Sequence, residues 1–162
     1  MIEVNPMARH HRPLYDHAGY LEAFIRPEQL ADSINKAVLA LKMHDSQYDA
    51  IAFSGLSGML MAPTIALLTN KTMIAVRKPI ELDFGNCHSS NLVEGDKGAR
   101  SYIIVDDFEC SGATNLRIKE AIYRWQPTMQ YKGMLEVAHL RWADETKTSL
   151  MPKYNISYGF LR

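Results

Sequence analysis

Short apolar segments alternate with segments of helical periodicity along most of this chain, and this alternation limits its possible folds more than any other feature. Runs typical of strands occupy residues 48–53, 72–76, 102–105 and 134–140. Apolar side chains recur at helical spacing in residues 27–44, between a small-residue loop at 54–58 and Leu68, and in residues 113–125. Neighbouring parallel strands require a crossover connection, usually a helix, so the order predicts an α/β fold with a parallel twisted sheet flanked by helices.

Composition indicates one globular domain and argues against several classes of function. The 162 residues are 47% hydrophobic and 22% charged, and 18 basic side chains balance 18 acidic ones. A net charge of zero provides no general attraction for nucleic acid. Cys87 and Cys110 lack the spacing of a disulfide framework or zinc site, which predicts reduced thiols and a cytoplasmic protein. We expect neither a secretory signal at the start nor a membrane span in the apolar run 55–68.

The segment 103–114, with the sequence IIVDDFECSGAT, carries the clearest sign of chemistry. An apolar strand ends in Asp106 and Asp107, and ligands of open parallel sheets bind outside the carboxyl ends of the strands. The small residues that follow lead into a helix, whose N-terminus favours a phosphate group. Carboxylates would repel that phosphate, so they must serve sugar hydroxyls or a divalent metal. A phosphorylated ribose fits both parts, although the pattern also permits two acids that merely cap a turn.

The same segment resembles the signature of the type I phosphoribosyltransferase family. Three further segments resemble that family in the right order: YDAIAFSGLSG at 48–58, MIAVRKP at 73–79 and GNCHSSNLVEG at 85–95. The resemblance covers about residues 48–125. It implies a Rossmann-like sheet in a single domain of residues 1–162, with a core at 27–141 and a small hood formed by residues 1–26 and 142–162.

The resemblance also implies a role for individual residues. Asp106 and Asp107 would hold the ribose hydroxyls of phosphoribosyl pyrophosphate, directly or through Mg²⁺. The 5′-phosphate would bind to Cys110, Ser111, Gly112, Ala113 and Thr114. The pyrophosphate would bind to Ser54, Gly55, Leu56, Ser57 and Gly58, with the cations Arg77 and Lys78. Residues 80–97 would form a lid that carries His88 and Glu94 as further candidate catalytic residues, in addition to Lys78.

The residues that would select a base are less well defined. Cys110 stands where hypoxanthine and guanine enzymes usually carry an aspartate, and the lid lacks the lysine of orotate enzymes, although Arg77 and Lys78 resemble both orotate and adenine enzymes. Trp142 and Tyr154 are weak candidates to stack on a base, because such rings more often fill the edge of a domain. The base therefore stays open between purine and pyrimidine.

The implied function is that of a Mg²⁺-dependent phosphoribosyltransferase. It would transfer 5-phosphoribose from phosphoribosyl pyrophosphate to a base, forming a nucleoside monophosphate and releasing pyrophosphate. A homodimer is expected from the family, and Met59 and Met61 are candidates to face the second copy. Two alternatives stay open: a non-catalytic regulator of the same fold that binds phosphoribosyl pyrophosphate or a nucleotide, and an unrelated sugar-phosphate hydrolase whose paired aspartates bind a catalytic metal.

Overall fold

The computed structural model of the chain describes residues 21–78, 91–107, 112–138 and 141–143. Along the chain the helices are α1 (Glu22–Ile25), α2 (Pro27–Lys42), α3 (Gly55–Thr69) and α4 (Ala113–Trp125), and a 3₁₀ turn covers Asp45–Gln47. The strands are β1 (Ala50–Phe53), β2 (Thr72–Val76), β3 (Val93–Gly95), β4 (Ser101–Asp106), β5 (Gln130–Glu136) and β6 (Arg141–Ala143). Strands and helices thus alternate through the centre of the chain, as the sequence predicts.

The six described strands form one sheet in the order β3-β2-β1-β4-β5-β6. The four central strands are parallel, whereas β3 and β6 run antiparallel along the two edges. The predicted α/β class is confirmed. Neither antiparallel edge strand is predicted from the sequence, because three-residue strands give no recognisable period.

Helices cover the two faces of the sheet and create two apolar layers. In β4, Ile103 and Val105 face the layer formed with α2 and α3, whereas Tyr102 and Ile104 face the layer formed with α4. This alternation follows from the two-residue period of a strand. All six residues of β4 are buried, as expected for a central strand covered on both faces.

The helix predicted after β1 begins earlier than expected. The sequence analysis predicts a loop at residues 54–58, but α3 already starts at Gly55, so that only Ser54 precedes the helix. Pro63 lies inside this helix. Met61 is fully buried, so the expectation that it faces a second copy is wrong, whereas Met59 is exposed. No helix in the described part of the chain is both long and apolar enough to cross a membrane.

Two other segments differ from their predictions. The last predicted strand, at 134–140, instead covers Gln130–Glu136, so Gly133 lies within the strand. Gln130 and Tyr131 pair with Ser101 and Tyr102 of β4, and a register shift follows before Gly133. This first part of the strand carries polar groups, so hydrophobicity alone does not predict it. The end of the predicted lid is also structured, since β3 pairs with β2 between Val93 and Gly95. Residues 79–90 lie outside the described part of the chain.

Asp49 joins the starts of the two central strands at the amino edge of the sheet. Its Oδ2 accepts hydrogen bonds from the backbone N–H of Arg100 at 2.9 Å and from the N–H and hydroxyl of Ser101, both at 3.1 Å. The Arg100 N–H, followed by the Ser101 donors, lowers the pKa of Asp49 against an opposing effect of burial. Asp49 is thus held as a carboxylate that fixes β4 beside β1.

We therefore expect Asp49→Ala to lower the free energy of unfolding by about 1 to 2 kcal/mol at pH 7, because three donors lose their acceptor. Urea unfolding followed by circular dichroism measures this change. Asp45→Ala is the matched control: the Asp45 side chain is 60% exposed, and Lys71, which loses an ion pair at 2.9 Å, keeps its hydrogen bond to the carbonyl of residue 45, so the loss should be less than about 0.5 kcal/mol. Equal losses in the two variants would contradict the role assigned to Asp49.

Candidate functional site

Three chain segments meet at the carboxyl edge of the sheet. Because β1 pairs in parallel with both β2 and β4, these three strands end on the same side. Ser54 follows β1, Arg77 and Lys78 follow β2, and Asp106 and Asp107 lie at the end of β4. Crevices at this edge are the usual ligand sites of open α/β sheets.

The two predicted acids lie in this region and are largely buried. Asp106 and Asp107 are each 6% exposed. Oδ1 of Asp106 accepts a hydrogen bond from the Ser57 hydroxyl at 3.4 Å and another from the Asp107 backbone N–H at 3.0 Å. The first of these bonds joins the end of β4 to the first turn of α3. The acids and the small-residue segment after β1 are therefore neighbours.

Burial changes the acidity of Asp106. It raises the pKa of this carboxyl to about 7, and the hydrogen bond and negative charge of Asp107 act in the same direction. The Asp107 backbone N–H and the Ser57 hydroxyl oppose the rise by stabilising the charged form. A cation or a set of hydroxyl donors beside Asp106 would favour the ionised carboxylate further.

The residues at the start of α3 are small enough for a ligand to approach the backbone closely. Ser54 is the N-cap residue in an extended conformation, and Gly55 follows with φ of +71°, a conformation that favours glycine. A Cβ at Gly55 would lie 3.7 Å from Nζ of Lys78. At Gly58, a Cβ would meet the Phe53 side chain at 3.0 Å, so this glycine permits tight packing of α3 on β1.

The two predicted cations point to different partners. Lys78 reaches over the start of α3, as its distance from Gly55 shows. Nη2 of Arg77 instead lies 3.3 Å from the Glu94 carboxylate on β3. Glu94 is thus placed on an edge strand and paired with Arg77. Of the two cations, Lys78 is the one that the structure brings to the predicted pyrophosphate segment.

The predicted phosphate segment is described only from Gly112 onward. Gly112 is the N-cap of α4 with φ of +74°, and Ala113 and Thr114 begin the helix with exposed side chains. Trp142 lies in β6, where its backbone pairs with Leu135. The other candidates lie outside the described residues, namely His88, Cys110, Ser111 and Tyr154.

Two residues near this edge are not predicted from the sequence to belong to the site. Arg117 on α4 donates hydrogen bonds to the Ser54 hydroxyl at 2.8 Å and to the Arg77 carbonyl at 3.0 Å. Glu136 on β5 is 2% exposed and stands opposite Asp106 in the strand register. Nothing in the sequence distinguishes Arg117 from a solvent-facing helix residue, whereas Glu136 is a charged residue within an apolar run.

The donor set suits a hard divalent cation that arrives with a phosphate ligand. Mg²⁺ in such sites commonly keeps several waters and binds one or two carboxylates plus substrate phosphates. Asp106 and Asp107 supply two carboxyl groups at this edge, and burial beside another acid disfavours a charged Asp106 until a cation approaches. The described residues contain no group of three or more His, Cys, Asp and Glu side chains that would form a complete metal site of protein ligands.

The described residues also line a polar cavity of about 780 Å³ at the opposite edge of the sheet. Its lining includes Asp49, Lys97 and Arg100. The Asp49 carboxylate is already occupied by the backbone of β4, as described above. We therefore assign the candidate site to the carboxyl edge, where the acids and Lys78 meet small residues at a helix start.

Comparison with known proteins gives the class of this fold. No protein-family model matches the chain. An adenine phosphoribosyltransferase of Petrotoga mobilis is 31% identical over 110 residues, which are 60% of this chain and 62% of that protein. The match therefore spans about three fifths of the curated relative.

Solved structures give a similar result. An adenine phosphoribosyltransferase from Saccharomyces cerevisiae, in a complex that contains adenine, aligns with a TM-score of 0.54 and 24% identity over 70% of each chain. An orotate phosphoribosyltransferase from Aeropyrum pernix aligns with a TM-score of 0.53 and 14% identity over 76% of this chain and 68% of that one.

The fold is thus that of the phosphoribosyltransferases. The resemblance to phosphoribosyltransferases that the sequence predicts is confirmed at the level of the fold, and adenine and orotate enzymes both occur among the similar structures.

The raised pKa of Asp106 makes the stability of the unliganded protein depend on pH. The folded state binds this proton more tightly than the unfolded state, so this carboxyl lowers the stability as the pH rises from about 4 to 7. Asp106→Asn removes the titration. From pH 5 to pH 8 its melting temperature should rise relative to wild type by several degrees, equivalent to at least about 1 kcal/mol.

The measurement is thermal unfolding at the two pH values in the presence of EDTA. Asp32→Asn is the control for the loss of a carboxyl group elsewhere on the protein, because Asp32 lies on the exposed side of α2 beside Lys36. A pH-independent difference for Asp106→Asn would show that this carboxyl keeps an ordinary pKa.

Proposed function

We propose that this chain transfers the 5-phosphoribosyl group of phosphoribosyl pyrophosphate to a ring nitrogen of a nucleobase, with release of pyrophosphate. The observation that carries the proposal is the contact between the end of β4 and the start of α3, where the Ser57 hydroxyl lies 3.4 Å from Asp106 Oδ1. It brings the ribose-binding and pyrophosphate-binding segments implied by the family side by side. The similarity to an adenine phosphoribosyltransferase supports the same chemistry.

In this proposal Asp106 and Asp107 hold the ribose. Their carboxylates accept hydrogen bonds from the 2′ and 3′ hydroxyls, and ionised acceptors form stronger bonds than neutral ones. The first turn of α4, with Gly112, Ala113 and Thr114, and the neighbouring Cys110 and Ser111 hold the 5′-phosphate. The partial positive charge of the helix start favours that anion.

The start of α3 binds the leaving group. The first four backbone N–H groups of a helix lack partners within the helix, so Ser54, Gly55, Leu56 and Ser57 can offer donors to pyrophosphate. Gly58 contributes by letting this segment pack closely on Phe53. Lys78 supplies a positive charge beside Gly55. Arg77 contributes to the same positive edge, although its guanidinium is shared with Glu94.

Bond breaking at the anomeric carbon leaves positive charge on the ribose and negative charge on pyrophosphate. Fixed donors and cations at the leaving group lower the barrier because they stabilise this developing charge. When bound with the substrate, Mg²⁺ would add further charge neutralisation at the pyrophosphate. A ring nitrogen of the base forms the new bond to the anomeric carbon and gives up its proton, so no protein nucleophile is required; the acids of the chain orient the ribose.

The base would enter from the side of β6. This strand runs antiparallel to β5 and starts opposite Glu136, so Trp142 lies one residue from the carboxyl edge. We place the base near Trp142 and Tyr154, beneath a lid that carries His88 and precedes Glu94. Exclusion of water by this lid would protect the reactive ribosyl group from hydrolysis.

We further propose that the chain acts as a cytoplasmic homodimer. The exposed residues Leu56, Met59 and Leu67 lie on one side of α3, within about 80° of one another around the helix axis. An apolar patch of this kind often marks a contact with another protein. Its proximity to Ser57 would connect the dimer contact with the leaving-group segment.

The proposal predicts pyrophosphate release that requires both phosphoribosyl pyrophosphate and a base. The assay contains Mg²⁺ and one of adenine, orotate, hypoxanthine or guanine, and product is identified as the nucleoside monophosphate. Asp107→Asn should lower turnover about tenfold or more, because a charged acceptor for a ribose hydroxyl is lost. Asp32→Asn, on the exposed face of α2, should retain wild-type turnover.

The other possible functions give different results in the same assay. Binding of phosphoribosyl pyrophosphate without turnover on any base would favour the non-catalytic regulator. Release of inorganic phosphate from simple sugar phosphates, independent of base, would favour a hydrolase. Unchanged turnover in Asp107→Asn would remove this carboxylate from the proposed mechanism.

A further inference from the structure

Arg117 joins the two segments that flank the proposed pyrophosphate position. This side chain belongs to α4, the helix that follows β4 along the chain. Its guanidinium donates a hydrogen bond from Nη2 to the Ser54 hydroxyl and another from Nη1 to the Arg77 carbonyl. Ser54 caps α3, and Arg77 immediately precedes Lys78. One rigid, planar group therefore sets the spacing between the helix start and the cation that lies over it.

The bond to Arg117 also orients the Ser54 hydroxyl. Ser54 is only 6% exposed, and its oxygen serves as an acceptor for the guanidinium. A hydroxyl that accepts a bond from a cation becomes a better donor, since hydrogen bonds in series polarise one another. The hydrogen of the Ser54 hydroxyl therefore points away from Arg117 and is free to be donated beside the start of α3, where we place the pyrophosphate.

Arg117 further adds a permanent positive charge at a place where the local sequence has none. Residues 54–58 include no charged side chain, and Arg77 shares its charge with Glu94. The Arg117 guanidinium lies one hydrogen bond from this segment. An arginine keeps its charge at every pH at which the protein is folded.

We propose that Arg117 is a positioning residue of the leaving-group site, which acts through Ser54 and through the Arg77–Lys78 backbone to select a pyrophosphate group. This inference rests on the proposed function and extends it to a residue on α4. A residue that merely braced the fold would affect all ligands alike. A positioning residue at one end of the substrate affects only the ligand that binds at that end.

Two probes separate the ends of the site. Inorganic pyrophosphate with Mg²⁺ tests the leaving-group end, and ribose 5-phosphate tests the end with Asp106, Asp107 and α4. Isothermal titration calorimetry gives the affinity of each probe for wild type and variants, and thermal unfolding reports stability separately. Arg117→Gln should weaken pyrophosphate binding about tenfold or more and change ribose 5-phosphate binding by less than about twofold.

Further variants keep the test independent of folding problems in Arg117→Gln. Arg117→Lys keeps the charge but not the two-pronged geometry, so it should restore part of the pyrophosphate affinity. Ser54→Ala should weaken pyrophosphate binding alone, and adding Arg117→Gln to it should cost less than the sum of the single losses. Arg124→Gln is the matched control: this residue of the same helix pairs with Glu120 at 3.7 Å, and its loss should leave both affinities unchanged.

The outcomes distinguish this inference from the function on which it rests. If wild type binds both probes and Arg117→Gln loses affinity for both equally, or for neither, the positioning role is wrong and the proposed function stands. If wild type binds neither probe nor phosphoribosyl pyrophosphate, the proposed function fails and the role of Arg117 fails with it.

Discussion

The parallel pairing of β1 with both of its neighbours is the constraint on which the rest of this molecule depends. It forces β1, β2 and β4 to end at one edge, and each strand then delivers a different chemical group to that edge. The end of β1 brings a helix start, the end of β2 brings Lys78, and the end of β4 brings two acids. At the amino edge, Asp49 binds the start of β4 and so fixes the register between β1 and β4 that aligns the site.

The acidic and the basic side chains of the candidate site lie close together but in separate parts of it. The acids lie at the end of β4, where burial holds the Asp106 pKa near neutrality, and the positive groups lie beyond the start of α3. Ser57 touches the acidic side and Ser54 touches Arg117 on the basic side. A ligand with hydroxyls at one end and phosphates at the other matches this division, which is the physical basis of the proposed reaction.

The central strands and helices could be predicted because their periodicity is strong. The bounds of α4 and β2 match the sequence prediction, and the two acids lie at the end of β4. The two edge strands, the polar first half of β5 and the early start of α3 were missed, since each depends on pairing or capping rather than on hydrophobicity. The roles of the site residues stay predictions.

Arg117 shows why part of the site is not visible in the sequence. Its contacts span 63 residues to Ser54 and 40 to Arg77, and only the assembled sheet brings these positions together. The partnership of Arg77 with Glu94 likewise depends on an edge strand that has no clear signal of its own. Local motifs identified the groups that face a ligand, but not the groups that hold them in place.

A crystal structure of the complex with phosphoribosyl pyrophosphate and Mg²⁺ is the most direct test of the central claim. The account predicts ribose hydroxyls within hydrogen-bonding distance of Asp106 and Asp107, with the pyrophosphate between the start of α3 and Lys78. Ligand bound elsewhere on the protein, with Asp106 still engaged by Ser57 and its surroundings unchanged, would contradict it.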